Sequence, residues 1–447
     1  MQRYRANKPT YGIRAATAIG VAALAAAATL VPSTAWAATS SGPSGTLKII
    51  TWVNPPAVAA ITKIDQLFEQ KYPNVHVQLQ TAANVTAGYA TLLSTTVDAN
   101  TADIVTNVYQ IQPLPLHPTR STMLPTQYWA SSGVYLPLNN EPWIHNFTSS
   151  ALATETYNGQ IYGVLSGVYQ RVVFYNKTDF AKYHISVPTT YNQFLTVLKT
   201  LSADHVTPLW LGVGGGASIY VPDFLTEPLM AELWLPHVAG NNIFTATQTG
   251  AAKFNNPYYI QAMTEEAAIG KYIEPDYTGV PWTGMPGAFA SNKAAMLLDG
   301  SWDLASVQKA NPGIQVGSFP LPGSNVASAN QPLLQPDLNF EILKHAQNMP
   351  AAQAWMAFFA SQPIYEQYVD ITGISPSETS GTYSSFSSKV LGSWLGKGIN
   401  VLSVTPNWAP TRGYYDTPVQ YPLLQEAVLS GSKSPQDVAK LVDSNWK

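Results

Sequence analysis

The side chains able to do chemistry in this chain are flat rings and planar hydrogen-bonding groups set at the ends of short apolar runs. Trp52 and Asn54 follow Leu47–Thr51. Tyr109 and Gln110 follow Asp103–Thr106, and Tyr169 and Arg171 lead into Val172–Tyr175. Tyr220 and Asp223 follow Gly214-Gly215-Gly216, and Trp282 lies in the Pro- and Gly-rich stretch Val280–Gly287. Asp299 and Trp302 follow Ala294–Leu298, and Asp337 and Trp408 occupy later loops. Open α/β sheets bind ligands at such strand ends. A ring there offers an apolar face, and the amides, carboxyls and hydroxyls offer hydrogen bonds. With 12 Trp and 24 Tyr in the chain, core packing is the competing role for each ring. Capping or turn bonding is the competing role for each polar side chain. Arg171 suits either an ion pair bridging two halves of the molecule or a clamp for an anion.

Other chemistry is excluded or poorly supported. The absence of Cys removes thiol nucleophiles, thiolate zinc sites, disulfides and a lipid-modified N-terminal Cys. Seven His lie scattered without H-E-x-x-H or another ligand spacing, so no metal is expected. The triple glycine lacks the Lys-Ser/Thr of a phosphate loop, and no cofactor is expected. The nearest carboxylates that two-acid hydrolysis could use are Asp299 and Asp303, four residues apart and more typical of a loop or helix start. A net charge of −3 offers nothing to a nucleic-acid backbone. Charged residues make up 11%, less than half of the ~25% usual in globular proteins. That fits either drift towards an uncharged polar exterior or an acidic habitat, where carboxylate ion pairs would protonate. Asn84, Asn146 and Asn176 open glycosylation sequons that chance explains.

Stepping along the chain, residues 1–14 carry Arg3, Arg5, Lys8 and Arg14, and an Ala/Val/Leu run spans Ala15–Val31 before Ala35-Trp36-Ala37. This is the pattern of a secretory signal peptide over 1–37, cleaved before Ala38. An uncleaved anchor is the alternative, and the alanine-rich, weakly apolar run argues against it. Residues 38–45 form a flexible lead. The mature chain then has 19 basic against 26 acidic residues, net −7. Strands are expected at 47–52, 75–79, 103–106, 172–175, 208–213, 294–298 and 314–319. Helices are expected at 61–68, 88–97, 189–202, 351–368 and from Ser434-Pro435 onward. Strand–helix alternation of this kind implies an α/β fold with parallel sheets flanked by helices. No long linker splits the mature chain.

Five segments then resemble the carbohydrate-type extracellular solute-binding proteins of ABC importers. Phe68-Glu69-Gln70-Lys71-Tyr72-Pro73-Asn74-Val75-His76-Val77 is similar to the family's first helix running into its second strand. Ala102-Asp103-Ile104-Val105 is similar to its Pro-Asp-Val-Val turn, with Ala for Pro. Tyr157–Gly163 through Phe174-Tyr175-Asn176-Lys177 resembles its crossing segment. Val187-Pro188-Thr189-Thr190-Tyr191-Asn192-Gln193-Phe194 resembles x-P-x-T-W-x-E-F, with Tyr for Trp and Gln for Glu. Phe289–Met296 with Asp299-Gly300-Ser301-Trp302 resembles F-x-x-G-K-A-A-M … G-S-W, with Asn292 for Gly. Each motif alone is weak; together they carry a resemblance spread over about residues 46–445.

The resemblance implies a two-lobed periplasmic-binding fold, each lobe a mainly parallel sheet flanked by helices, with the ligand cleft between them. The lobes are expected at 46–168 with 318–372 and at 169–317 with 373–447. It implies a monomeric receptor, not an enzyme, that closes over a mono- or oligosaccharide and hands it to an ABC permease, in the periplasm or at the cell surface. It places sugar contacts near Tyr109 and Gln110, and a stacking ring at Trp302. One ring over a sugar face removes about 60–80 Å² of apolar surface from water, roughly 1.5–2 kcal/mol. Micromolar binding takes about 8 kcal/mol, so hydrogen bonds must supply much of the remainder. If Arg171 faces the cleft, an anionic sugar becomes possible. A secreted glycan-active enzyme, or a sensor with the same fold and a membrane signalling partner, are the competing functions. Tyr258-Tyr259 and Tyr414-Tyr415 are similar to the tyrosine pairs of iron-binding relatives, though ordinary packing explains them better.

Overall fold

The computed structural model describes residues 42–82, 88–115, 117–214, 222–404 and 420–445. The expected signal peptide, Tyr220, Trp408, Tyr414-Tyr415, the Asn84 sequon and two of the three glycines lie outside the described residues.

Strand β1 (Gly45–Trp52) leads into helix α1 (Pro55–Lys71), which buries Ala57, Ala60, Ile61, Ile64 and Phe68 on one face. Pro55 starts the helix because its missing N–H is one that a helix leaves unpaired anyway. Strand β2 (Val75–Ala82), helix α2 (Gly88–Ala99) and strand β3 (Ile104–Asn107) follow, and β2 and β3 flank β1 in parallel. Asp103 of the Ala-Asp-Ile-Val motif has a structural role: its carboxylate accepts from the Lys48 N–H (2.9 Å) and the Asn348 N–H (2.8 Å). The hairpin Thr156–Ile161 turns at Asn158-Gly159, both with positive φ, the pairing a tight turn favours.

The chain then crosses between sheets. Strand β4 (Gly163–Leu165) and the long strand β5 (Gly167–Asn176) are separated by Ser166 alone. Helix α3 (Tyr191–Ala203) is capped by Thr190, while Gln193, standing where the family has Glu, accepts from the Thr189 N–H at 2.8 Å. Strand β6 (Leu209–Trp210), helices α4 (Asp223–Leu233) and α5 (Pro257–Gly270), and strands β7 (Met296–Gly300), β8 (Val316–Phe319), β9 (Leu333–Pro336) and β10 (Asn339–Ile342) come next. Helices α6 (Met349–Phe359) and α7 (Gln362–Thr372) and strands β11 (Ser375–Pro376) and β12 (Ile399–Asn400) follow.

One sheet has the order β2-β1-β3-β10-β4, and the other β12-β9-β5-β7-β6, with β8 and β11 also paired to β5. In the first, successive residues feed opposite faces: Ile49 and Ile104 enter one core, Ile50 and Val105 the other. The second sheet lies in the largest core, with Phe174, Phe194, Met296 and Leu298 fully buried or nearly so.

Four details differ from the sequence reading. Residues 351–368 are two helices, because Ala360-Ser361 ends α6 and Pro363 can only open a new one. The strand expected over 208–213 is Leu209–Trp210. Parallel pairing holds for β1–β3, β6–β7 and β9–β12, whereas β5, carrying the chain from one sheet to the other, runs antiparallel to β7, β8, β9 and β11. Strands β8 and β9 pair into the second sheet, although residues 318–336 are expected with the first lobe.

Candidate functional site

Trp302 stands where the two sheets meet. Strand β7 ends at Gly300, and Ser301–Asp303 form one 3-10 turn. The Gln170 N–H of β5 donates to Ser301 Oγ (3.1 Å), tying this turn to the crossing strand. A Cβ on Gly300 would lie 2.2 Å from the Trp302 ring, so glycine is what lets the indole fold back over the strand end. The ring packs against the cores of both sheets. It meets Tyr169 (centroids 5.5 Å, 85°), Phe224 (5.7 Å, 60°) and Trp282 (6.1 Å, 89°), all edge-on.

Polar groups surround this aromatic cluster. On the first-sheet side, Asp337 accepts from Ser166 Oγ (3.2 Å) and the Tyr368 hydroxyl (3.4 Å), and its backbone carbonyl takes Gln110 Nε2 (3.4 Å). Burial pushes the Asp337 carboxyl up to about 7. Burial, with the Asp337 charge next, raises the Tyr169 hydroxyl, and the neighbouring Asn54 opposes this. On the second-sheet side, Asp299 is fully buried on β7, and Asp303 faces it across the turn. Burial first, then Asp303, drives Asp299 well above the carboxylate range, and burial lifts Asp303 to about 6.

Arg171 is neither a bridge between sheets nor a free anion clamp. Its guanidinium lies over the Phe224 ring (4.7 Å), pairs with Glu227 through Nη1 and donates to Gln335 Oε1 (2.6 Å) through Nη2. Both partners belong to second-sheet elements, α4 and β9. Helix α4 sets Asp223 one turn before Glu227. Asp223 is raised well above its ordinary range by burial and then by Glu227, with Arg171 opposing.

The structure thus gathers Asn54, Gln110, Tyr169, Arg171, Asp223, Trp282, Asp299, Trp302 and Asp337 around the junction. Trp52 is half-buried between the two cores of the first sheet, and Tyr109 is half-buried after β3. The sequence reading did not single out Phe224, Glu227, Gln335, Ser166 or Tyr368. The i, i+4 spacing of Asp223 and Glu227 was the available signal for one of them. Several polar atoms here are buried without a hydrogen-bond partner: Gln110 Oε1, Arg171 Nε, Asp223 Oδ1, Asp299 Oδ2 and the Trp52 indole nitrogen. Such atoms cost free energy unless something polar reaches them.

The family model for bacterial extracellular solute-binding proteins matches residues 51–365. The chain belongs to this family. As a solute-binding protein it is similar to a "multiple sugar-binding protein" of Streptococcus mutans, 20% identical over 317 residues, 70% of this chain and 71% of that protein. Among solved structures it is similar to the solute-binding protein RafE in complex with raffinose (TM-score 0.72, 19% identity, 90% of this chain and 98% of that one). A chitin oligosaccharide binding protein gives 0.70, 19%, 90% and 98%. The GacH receptor of Streptomyces glaucescens, solved unliganded and with acarbose, gives 0.65, 18%, 90% and 100%. The fold is therefore the two-lobed one expected from the motifs, each lobe built on one sheet. Among the described residues, no helix is long and apolar enough to cross a membrane.

Proposed function

We propose that this solute-binding protein captures a sugar or oligosaccharide between its lobes and delivers it to an ABC importer permease. The observation that carries this reading is the Trp302 cluster at the sheet junction, with unpartnered buried polar atoms around it. Ring faces cover the C–H faces of a sugar, and neutral or proton-bearing groups meet its hydroxyl edges. The raffinose bound by RafE and the acarbose bound by GacH support the same class. The candidate contacts are Trp52, Asn54, Tyr109, Gln110, Tyr169, Trp282, Trp302 and Asp337, with Tyr220 and Trp408 from segments outside the described residues. The lobe borders we propose fall at Ser166, at Asp337-Leu338 and at Gly373-Ile374.

Hydrolysis is disfavoured by the placement of Asp299 and Asp303. Two-acid glycosidases hold their carboxyls at least about 5 Å apart, on two sides of a bond. Here the two groups act directly on one another within a single turn of chain. Export by cleavage after Ala37 completes the reading, and the mass of the secreted protein tests it.

A thermal-shift screen of mono- and oligosaccharides tests the substrate class. Saccharide at about 100 times Kd adds about 2.7 kcal/mol to stability. If peptides or anions move the transition and no saccharide does, the carbohydrate reading is wrong.

A further inference from the structure

Asp299 and Asp303 bracket Trp302 in sequence, and their carboxyls act on one another at its turn. Asp299 is fully buried; its Oδ1 accepts from the Gly300 N–H at 2.7 Å, and its Oδ2 is buried with no hydrogen-bond partner. The groups acting on the pair are the two carboxyls themselves, the Gly300 N–H and the Trp282 and Trp302 indoles; none is a cation. Tyr169, across the Trp302 ring, is the hydroxyl that senses Asp303. Arg171 sits opposite Gly300 on the adjacent strand, but its guanidinium is taken by Glu227 and Gln335. Asp223, on α4, is engaged with Glu227 and Arg171. Two carboxylates enclosed this way without a cation cannot both ionise cheaply.

We propose that Asp299 and Asp303 share a proton that holds the Ser301–Asp303 turn closed and so positions Trp302 for the solute. The pair are positioning residues acting through the indole. When the shared proton leaves, like charges face each other across the turn, the turn opens and Trp302 loses its seat. Burial raises both groups, Asp303 to about 6, in the direction this requires. The inference rests on the carbohydrate reading for its effect on affinity, and on the protein alone for its effect on Trp302.

The test has two arms, using the full mature protein. In the first, tryptophan fluorescence of wild type minus that of Trp302→Phe is followed from about pH 4 to about pH 9 without ligand. A transition above the ordinary carboxylate range is expected, and Asp303→Asn, which keeps a neutral partner for Asp299, abolishes it. Asp299→Asn serves the same purpose should Asp303→Asn fail to fold. A flat difference signal, or a transition unchanged in the folded variant, overturns the proposal. In the second arm, calorimetry measures raffinose and chitotriose binding over the same range. One linked proton weakens binding by at most about tenfold per pH unit as pH rises. A pH-independent Kd for a saccharide that binds also overturns the proposal. Should neither sugar bind at any pH, the carbohydrate reading loses support, and the fluorescence arm still decides the role of the pair.

Discussion

Glu155 and Glu341, both fully buried, accept hydrogen bonds from the same nitrogen, Asn339 Nδ2, which lies 3.0 Å from Glu155 Oε2. Asn107 Nδ2 donates to Glu341 (2.9 Å) and Thr154 Oγ1 to Glu155 (3.1 Å). The other titratable neighbours are Tyr89 and Tyr135, and no cation acts on the pair. The two ion pairs among the described residues lie elsewhere, at His76–Glu69 and Arg171–Glu227.

Stability is therefore expected to be greatest in mild acid. Burial pushes Glu155 from 4.5 up to about 8 and drives Glu341 well upward, with Glu155 the second cause. The native state then binds these protons more tightly than the unfolded chain does. Their stabilisation is full below 4.5 and is lost as pH rises through about 8. Asp65 and Asp337, each near 7, act in the same direction. The thermal midpoint should fall from about pH 5 to about pH 8, less steeply in Glu341→Gln, as read by calorimetry. A midpoint that climbs over that interval contradicts the assignment.

Removing the central ring should weaken binding as well as folding, since the indole also packs against both cores. Trp302→Ala takes away a ring face worth roughly 1.5–2 kcal/mol, about 10- to 30-fold in Kd for a bound saccharide. Gly300→Ala should approach the same loss without touching the indole itself, because the added methyl occupies the ring's place. Titration calorimetry on both variants checks this, with circular dichroism to confirm the fold.

Arg171 is expected to act on stability. Arg171→Met takes the paired cation away from Glu227, 2% exposed, with Asp223 beside it, and breaking such a buried pair costs about 3 kcal/mol or more. Arg171→Met with Glu227→Leu should recover much of that loss. Urea denaturation measures both. A single variant as stable as wild type would falsify the pairing.

Asn292 holds φ at +58°, and its Oδ1 accepts from Asn176 Nδ2 at 2.7 Å. The family has Gly here, and both residues tolerate this left-handed backbone. Asn292→Ala should cost about 1–2 kcal/mol and Asn292→Gly clearly less, as measured by chemical denaturation.

Period and capping made much of the fold legible. Ile61, Ile64 and Phe68 at helical spacing mark the body of α1 in the sequence alone, though not its start at Pro55, and a helical period likewise marks α3. Helix α4 was not legible: every residue from Asp223 to Leu233 is buried, so no polar face marks a period, and Pro228 reads as a breaker. Its Phe224 and Glu227 were missed for that reason, and Asp223 was placed only as following the triple glycine. Trp302 was legible because a short Gly-Ser-Trp turn follows an apolar strand. The partners of Arg171 were not, since Gln335 is 164 positions away and reaches it only through the antiparallel pairing of β5 with β9.

Ser166 and Asp337 sit on two of the short links that join the sheets, and they are bonded to each other. The Asp337 N–H donates to the Gly167 carbonyl (3.0 Å), the Ser166 N–H to the Leu338 carbonyl (2.8 Å), and Ser166 Oγ to the Asp337 carboxyl. A Cβ on Gly167 would meet Ile374 at 2.4 Å, which packs the third link against the first two. Links bonded together in this way are expected to act as an axle when the halves swing. Tyr169 lies two residues from that axle and touches Trp302, so the floor travels through a small arc while the outer rims sweep a wide one. Alterations at the rims are therefore expected to change how quickly a guest enters and leaves more than they change the floor beneath it.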